Sequence, residues 1–356
     1  TKIETMKTGI AGALAEQFIN SKLTPLLMIA FMAIGIYSAS LTPREEEPQI
    51  DVPIADIFIG YPGASPQEVE SRVIEPLEKL LTNIQGVEYV YSTAMNGQAM
   101  LIVRFYVGED VERSLVKFYN EVMKHMDSMP AGVTMPLIKT RSIDDVPALG
   151  LTLWSETQND FELKRIAEEL ASEIKKVNDV AETTIIGGRS RELSVLLNKE
   201  KMTAYGLDAL TVAHQIKSAN QQMEAGAFSS QDTEFLVEVG DFLKTSDDLE
   251  RLVVGVANGS PIYLKQIAQI TDGAEQSSQY VTFGYGKDAN TGIVGDFPAV
   301  TISVSKRRGA DAMAVSELIL GKVETLKQTL IPSDVQVTTT RNYGETASHK
   351  VSELIM

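Results

Sequence analysis

The sequence predicts an α+β protein: one N-terminal transmembrane helix, then two ferredoxin-like βαββαβ units, the second interrupted by an inserted subdomain. Three observations support this fold class. An uncharged apolar run lies near the N-terminus, the strand and helix patterns then occur twice in the same order, and a long segment over 189–275 divides the second copy. With 356 residues, 44% of them hydrophobic, the chain can bury two or three separate cores.

Composition excludes several classes of function. The formal net charge of -16 repels phosphate backbones, so no nucleic-acid partner is expected. The absence of cysteine excludes disulfides, thiolate metal sites and cysteine nucleophiles. No nucleophile elbow or Walker loop occurs, since the glycine-rich stretch 284–287 lacks the required spacing and a hydroxyl residue after its lysine. His125, His214 and His349 have no second histidine or carboxylate at metal-binding spacing. We therefore expect neither an enzyme nor a cofactor.

The apolar run over 23–42 predicts a membrane-spanning helix, because about 20 uncharged residues match the thickness of a bilayer core. Only Arg44 follows it before Arg72, whereas three lysines precede it, so the N-terminus is expected in the cytoplasm and the bulk of the chain outside. Residues 1–22 predict an amphipathic helix on the inner membrane surface. Two alternatives remain: a cleaved signal peptide ending near residues 38–40, and a buried core helix.

The first βαββαβ unit is predicted over 43–140. Ser65, Pro66 and Glu68 form a capping box with a proline start, so a helix begins there, and Pro76 is a candidate kink. A hairpin turn is predicted at 96–97 from its Asn-Gly sequence. Strands are expected at 52–61, 87–93, 99–107 and 133–138, with the second helix at 110–126.

The second unit is predicted in two parts, 141–188 and 276–341. Its strands are expected at 149–154, 180–186, 299–305 and 335–340, and its helices from Asn159 to Ile174 and from Asp311 to Leu330. The insertion over 189–275 is too long for a simple loop and is therefore predicted to be a subdomain.

Several motifs then resemble one family of membrane proteins. The run after the apolar helix, Leu41-Thr42-Pro43-Arg44-Glu45-Glu46, is similar to that family's exit from its first membrane helix. Two further blocks follow in order, Tyr61-Pro62-Gly63-Ala64-Ser65-Pro66 and Val73-Ile74-Glu75-Pro76-Leu77-Glu78. Matches within and after the insertion include Asn198, Lys201, Leu207, Ile216, Asn220, Gly226, Tyr263, Leu264, Ile267 and Ile270. Together they resemble the inner-membrane permeases of resistance-nodulation-cell division (RND) efflux systems, in the AcrB-like hydrophobe and amphiphile branch.

The resemblance implies a proton-driven transporter in the bacterial inner membrane. In such permeases the two βαββαβ units are porter subdomains, the insertion is a docking subdomain, and the full-length protein is a homotrimer. Its partners are the lipid bilayer, a periplasmic adaptor protein, an outer-membrane channel and a small hydrophobic or amphiphilic substrate. The family's proton-relay residues lie on later membrane helices, so this chain is expected to be the N-terminal part of a longer pump. By the same resemblance, residues 342–356 are expected to lead into a second transmembrane helix that lies beyond this chain.

The resemblance also implies candidate sites. A docking hairpin that reaches the next protomer is expected over 221–240, with Gln221, Gln222, Met223, Phe228 and Phe235 as its candidate residues. The family's substrate pocket wall falls on Pro147, Leu149, Leu151, Ile186, Thr340 and Arg341, and ordinary sheet core is the alternative for these positions. Few aromatic residues are expected there, and Arg341 is a candidate partner for an anionic head group.

Other interpretations remain open. Met123, Met126 and Met129 have helical spacing, and three thioethers on one helix face suit Cu(I) or Ag(I), although a core-facing stripe is the alternative. A heavy-metal-exporting RND permease is therefore a variant of the main hypothesis. A membrane-tethered periplasmic binding or assembly module that works without transport, and a secreted enzyme, are alternatives from other classes.

Overall fold

The computed structural model describes residues 18–19, 21–42, 50, 52–141, 145–230, 233–257, 259–289 and 291–355. The predicted amphipathic helix over 1–22 lies almost wholly outside the described residues, as do Pro43 to Glu46 of the exit motif. Helix α1 (Leu23–Leu41) is the first described helix. Its apolar side chains are exposed on all sides, with Ile29, Phe31 and Ile36 each about two-thirds accessible.

Among the described residues, no helix is both long and apolar enough to cross a membrane, so the transmembrane helix predicted over 23–42 is not confirmed.

The first βαββαβ unit folds in the predicted element order. Its strands form one antiparallel sheet in the order β2-β3-β1-β4, and helices cover one side of it. The elements are β1 (Ile54–Gly60), α2 (Pro66–Val69), α3 (Glu75–Leu81), β2 (Val87–Met95), β3 (Gln98–Phe105), α4 (Val111–Lys124) and β4 (Leu137–Arg141). The core between sheet and helices includes fully buried Ile57, Leu101 and Phe118.

Pro76 distorts its helix rather than ending it. Helices α2 and α3 are joined by a π-helical turn over Glu70–Ile74, in which the Glu75 N–H donates to the Glu70 carbonyl. A proline ring collides with the carbonyl four residues earlier and offers no N–H, so a widened turn just before it accommodates the ring. The predicted capping box is confirmed: the Ser65 and Glu68 N–H groups each donate to the other residue's side chain.

The second βαββαβ unit repeats this architecture. Its four long strands are ordered β6-β14-β5-β15, the same arrangement as in the first unit, and all neighbours are antiparallel. A short strand, β13, shares the outer edge of β14 with β6. The elements are β5 (Pro147–Ser155), α5 (Asp160–Ile174), β6 (Val180–Ile186), β13 (Thr282–Phe283), β14 (Phe297–Lys306), α10 (Ala312–Leu326) and β15 (Val335–Asn342). A last helix, α11, occupies Tyr343–Ile355.

Several predicted boundaries are wrong. The helix expected over 110–126 ends at Lys124, where His125 leaves helical geometry. The strand expected at 133–138 begins only at Leu137, because its register is set by pairing with β1. Helix α10 stops at Leu326 rather than Leu330. For the two helices, the differences lie within the last turn or so, where helix ends fray and local propensity defines the boundary least well.

The insertion forms a separate small core between two connecting strands. Its elements are β7 (Arg191–Leu197), α6 (Lys199–Tyr205), α7 (Ala209–Ala219), β8 (Met223–Ser230), β9 (Thr233–Val239), α8 (Ser246–Glu250), β10 (Val253–Ala257), β11 (Ser260–Tyr263), α9 (Leu264–Ile267) and β12 (Ala268–Ala274). The pairs β7–β12, β8–β9 and β10–β11 are each antiparallel. Val212, Ile262, Leu264 and Ile267 are buried at its centre.

Candidate functional site

The second sheet has one covered side and one open side. Helices α5 and α10 cover the first, where Leu149, Leu151 and Leu153 alternate into the core. The opposite side, called here the open face, receives the intervening residues Gly150, Thr152 and Trp154. Thr152 and Trp154 are themselves only 4% and 3% exposed, so the exposed part of this face lies on the neighbouring strands. Because side chains alternate along a strand, the two sets are separated by the thickness of the sheet.

Hydroxyl groups line the middle of the open face. Across the strands, Ile186, Thr301, Thr152 and Thr338 are register partners in one row. The Thr152 hydroxyl lies 2.8 Å from that of Thr301 and 3.1 Å from that of Thr340. Thr340 also donates to the Gly150 carbonyl. The middle of this face is therefore polar but uncharged.

Four aromatic rings pack together at one end of the open face. The Trp154 ring stacks on Phe283, with centroids 5.1 Å apart and planes 17° apart, and lies 5.1 Å from Phe297. Tyr285 approaches both Trp154 and Phe283 edge-on. Trp154 is only 3% exposed, and its Nε1–H donates to the Thr338 hydroxyl at 2.9 Å. These geometries are the favourable ones for aromatic pairs.

An irregularity in β15 brings a cation to the other end of this face. The register with β5 shifts between Thr339 and Arg341, which is a β-bulge, so Thr340 and Arg341 both lie beside Gly150. A Cβ placed on Gly150 would lie 3.3 Å from the Arg341 Cβ. The guanidinium of Arg341 lies 4.0 Å from the centroid of the Tyr343 ring, a close cation–π contact.

The predicted pocket residues are divided between the two sides of the sheet. Ile186, 48% exposed, and exposed Thr340 and Arg341 lie on the open face. Pro147 starts β5 and is also exposed. Leu149 and Leu151 are 0% and 1% exposed and belong to the helix-facing core, which is the alternative stated for them above.

The aromatic cluster contradicts the expectation of few aromatic residues at this surface. Trp154 ends the strand predicted at 149–154, and the alternation of leucines at 149, 151 and 153 places it on the side opposite to theirs. The sequence therefore predicts the side of the sheet on which Trp154 lies. It does not predict that Phe283, Tyr285 and Phe297 pack against this ring, because the segment over 276–297 has no periodic pattern and its fold depends on β13 pairing with β14.

A polar network fixes the insertion to the second unit. Arg189 binds the Asp160 carboxylate through two nitrogens, at 2.7 to 3.0 Å, and Lys164 donates to the Ser190 hydroxyl at 2.8 Å. Gly188 has φ +74°, and a Cβ there would lie 2.7 Å from that of Lys164. The chain can therefore pass Lys164 at position 188 only with a residue that has no side chain.

The connecting ribbon β7–β12 contains an ion pair whose contribution to stability depends on pH. Arg191 Nε donates to Asp272 Oδ1 at 2.8 Å, and this hydrogen bond holds the pKa of Asp272 below its ordinary value. Since the folded pKa is lowered, the pair stabilises the fold above about pH 4, and this contribution is lost as pH falls through the folded pKa.

We expect Asp272→Asn to lower the melting temperature at pH 7, with the difference from wild type vanishing towards pH 3. Thermal melts across that range check it. Glu192→Gln is the matched control, because this exposed carboxylate on β7 has no ion pair among the described residues. A difference between Asp272→Asn and wild type that stays constant with pH would contradict the assignment.

The predicted hairpin over 221–240 exists as strands β8 and β9, with Phe228 directly opposite Phe235 in the register. The side chains of Met223, Phe228 and Phe235 lie outside the described residues, whereas Gln221 and Gln222 are exposed and precede β8. At its base, the Leu243 N–H donates to Asn220 Oδ1 at 2.9 Å.

The candidate metal residues are not brought together on one helix. Met123 lies in the last turn of α4, Met126 in a 3-10 turn, and Met129 has extended geometry. Met129 packs against the first core. Within the described ranges, no group of three or more His, Cys, Asp or Glu side chains is placed to hold a metal ion.

No carboxylate was expected at metal-binding spacing from a histidine, yet two of the histidines have one a helical turn away. His125 lies 3.6 Å from Glu121 and His349 lies 3.5 Å from Glu353. Both pairs are one helical turn apart, a spacing that the sequence already contained.

Comparison with known proteins agrees with this architecture. The model of the AcrB/AcrD/AcrF family matches residues 14–354. The multidrug resistance protein MdtC of Yersinia pseudotuberculosis (serotype O:1b, strain IP 31758) and that of Yersinia pestis (bv. Antiqua, strain Angola) are each 26% identical over 333 residues. The match covers 93% of this chain and 31% of each relative, so the chain spans about a third of their length. The chain therefore belongs to the AcrB/AcrD/AcrF family of RND permeases, as its motifs predicted.

Proposed function

We propose that this chain is the N-terminal part of a proton-driven RND permease that exports hydrophobic or amphiphilic compounds from the inner membrane or periplasm. The observation that carries the proposal is the open face of the second sheet, where four aromatic rings adjoin an uncharged row of hydroxyl groups. Such a surface contacts apolar compounds by burial and stacking and supplies few fixed polar partners, which suits broad specificity. The protein moves its substrates and changes no covalent bond in them.

Helix α1 is proposed to lie in the lipid bilayer, with the N-terminus in the cytoplasm and the two βαββαβ units in the periplasm. Its described side chains include no Asp, Glu, Lys, Arg or His, and apolar groups such as Ile29 and Phe31 are exposed around its whole circumference. A surface of this kind is unfavourable in water and is satisfied by lipid or by other apolar helices. Groups that couple transport to protons are then expected in the remaining two-thirds of the permease.

The two βαββαβ units are proposed to be porter subdomains, and the insertion a docking subdomain of a homotrimer. Two features of the insertion support this role. It has its own core, and its hairpin starts from a fixed base, where Asn220 and Asp241 pair as a β-bridge and Lys244 binds Asp241 at 3.0 Å. A two-stranded arm on a fixed base suits insertion into a neighbouring protomer. A periplasmic adaptor and an outer-membrane channel would complete the export route.

Deletion of the full-length gene in its host tests the proposal. Complementation with wild type is expected to restore efflux of dyes or bile salts, whereas a gene lacking Gln221 to Gly240 restores none, because the trimer loses its docking arm. Efflux and membrane protein level are measured together. Leu210→Ala, a change at a 70% exposed side chain of the same insertion, is the matched control and should export normally.

Other results of this deletion experiment would change the proposed function. If deletion of the gene changes tolerance to no compound, transport is rejected and a tethered periplasmic binding or assembly module becomes the leading alternative. If only silver or copper tolerance changes, the permease exports metals. A hairpin-deleted protein that reaches the membrane at wild-type level and exports normally would remove the docking role while leaving transport intact.

A further inference from the structure

We infer that one edge of the second unit binds the anionic head groups of membrane lipids. This edge, called here the basic edge, consists of residues 175–179, which follow α5, and residues 306–311, which end β14 and lead to α10. The inference rests on the proposed location of α1 in the lipid bilayer and adds a lipid contact to the proposed function. Three observations carry it: the local excess of basic residues, the small number of carboxylates that neutralise them, and the connection of this edge to α1.

Basic residues are concentrated at this edge, although the whole chain has a formal net charge of -16. The two segments of the basic edge contain five basic and two acidic residues. Asp145 and Arg341 lie on the same side of the sheet, one of each sign, and leave this excess unchanged. At the opposite edge, called here the acidic edge, residues 156–160 and 331–334 include three acidic and no basic residues. The charge of the second unit is therefore divided along the direction of its strands.

The two segments of the basic edge lie against each other. The Arg307 N–H donates to the Asp179 carbonyl at 2.8 Å, which fixes the segment after β14 beside the loop after α5. Lys175 and Lys176 on that loop, and Arg307 and Arg308 on the neighbouring segment, are all exposed. The backbone contact therefore joins the four exposed cations into one continuous patch.

The carboxylates of the protein neutralise only part of this charge. Within the ranges that the structure describes, no Asp or Glu lies at ion-pair distance from Lys175 or Arg307. Lys176 binds Glu173, which also binds Lys322 of α10 at 3.2 Å, so one carboxylate serves two ammonium groups. Hydrogen bonds from Lys176 and Lys322 hold the pKa of Glu173 below its ordinary value. An anion that approaches this edge therefore meets an excess of positive charge.

The connections of the chain place the basic edge on the side of α1. Only residues 42–53 separate α1 from β1, and β1 begins beside the end of β4 in the first sheet. Residues 142–146 then lead to β5, which begins beside the end of β14, where the basic edge starts. The insertion instead leaves from the end of β6, on the side of the acidic edge. With α1 in the bilayer, the basic edge is the edge directed toward the membrane.

The phosphodiester head groups of anionic lipids fit such an edge. Lysine and arginine donate charge-assisted hydrogen bonds to phosphate oxygens, and arginine does so through two parallel bonds. Each basic residue close to an anionic bilayer strengthens binding roughly fivefold. The attraction is screened within about 8 Å at physiological salt, so only basic residues on the membrane side of the unit take part. Binding would hold the second unit against the bilayer surface.

The test titrates phosphatidylglycerol, or zwitterionic phosphatidylethanolamine, into the purified full-length permease and measures the affinity of each bound lipid by native mass spectrometry. Replacing both Lys175 and Arg307 with glutamine is expected to weaken the tightest phosphatidylglycerol site roughly 25-fold, the product of two fivefold contributions. Each single replacement should weaken it roughly fivefold. Affinity for phosphatidylethanolamine should be unchanged, because its head group has no net charge. Melting temperatures are measured beside the affinities to show that each variant folds.

The matched control combines Arg165→Gln with Lys199→Gln, which removes two exposed basic residues from the start of α5 and from the insertion and should leave both affinities unchanged. Lys175→Arg with Arg307→Lys keeps the charge and should bind as wild type does. Unchanged phosphatidylglycerol affinity in the double glutamine variant, or an equal loss in the control, would overturn the inference. So would a variant that keeps its lipid affinity but no longer co-purifies with a partner protein, since the edge would then bind protein. Efflux by the wild-type gene is measured separately, so failure of the proposed function appears as absent export, whatever the lipid affinities are.

Discussion

Replacing Trp154 with alanine is expected to cost about 3–5 kcal/mol of unfolding free energy and to abolish export of every compound. The side chain is 3% exposed and contacts three other rings, so its removal leaves a cavity in which Phe283, Tyr285 and Phe297 lose their common support. The segment that carries β13, which among the described residues pairs with β14, would then detach from the open face. Thermal unfolding of the purified permease, together with efflux in the deletion host, measures both effects.

A conservative variant separates packing from hydrogen bonding at this position. Trp154→Phe keeps a ring in the cluster but removes the Nε1–H that donates to Thr338, so we expect a loss of about 1 kcal/mol and largely retained export. Tyr89→Ala, at a 49% exposed ring on the first sheet, should change stability little. If Trp154→Ala were no more damaging than Tyr89→Ala, the cluster would be neither a structural support nor a substrate surface.

Local signals in the sequence predicted the elements of both units well. The capping boxes at Ser65 and Asn159 place the helix starts to the residue, because each satisfies N–H groups that have no other partner. The Asn-Gly turn after Met95 fixes the β2–β3 hairpin, with Gly97 at φ +69°. The doubled βαββαβ order then leaves few ways to build each sheet, and both units adopt the same strand order.

Features that depend on distant contacts could not be predicted in the same way. The bulge beside Thr340 arises from the pairing of β15 with β5, and it alone allows Thr340 and Arg341 to occupy one side of the sheet. The Met123, Met126 and Met129 spacing predicts a shared face only if the helix continues past Lys124, which it does not. The pocket prediction followed the positions of the pocket wall in the family, and that correspondence carries no information about the side of the strand on which each residue lies.

The side of the second sheet on which a residue lies determines what its replacement by alanine does. Leu151→Ala is expected to cost about 2–5 kcal/mol, because this fully buried residue packs against Leu163 and Ile319 in the core under α5 and α10. Its effect on export should follow protein level and be equal for all substrates. Ile186→Ala, at a 48% exposed side chain on the open face, should leave the free energy of unfolding within about 0.5 kcal/mol of wild type and alter export selectively.

The comparison is decisive because both residues were predicted to line one pocket wall, and the structure places them on opposite sides of one sheet. Melting temperatures and membrane levels of the two variants are measured beside the efflux of two compounds, a dye and a bile salt. A Leu151→Ala protein that is stable but changes the preference between the two compounds would place the pocket on the helix side. An Ile186→Ala protein that unfolds would show that the open face is covered in the complete permease, and that its apolar residues there serve packing between subdomains rather than substrate contact.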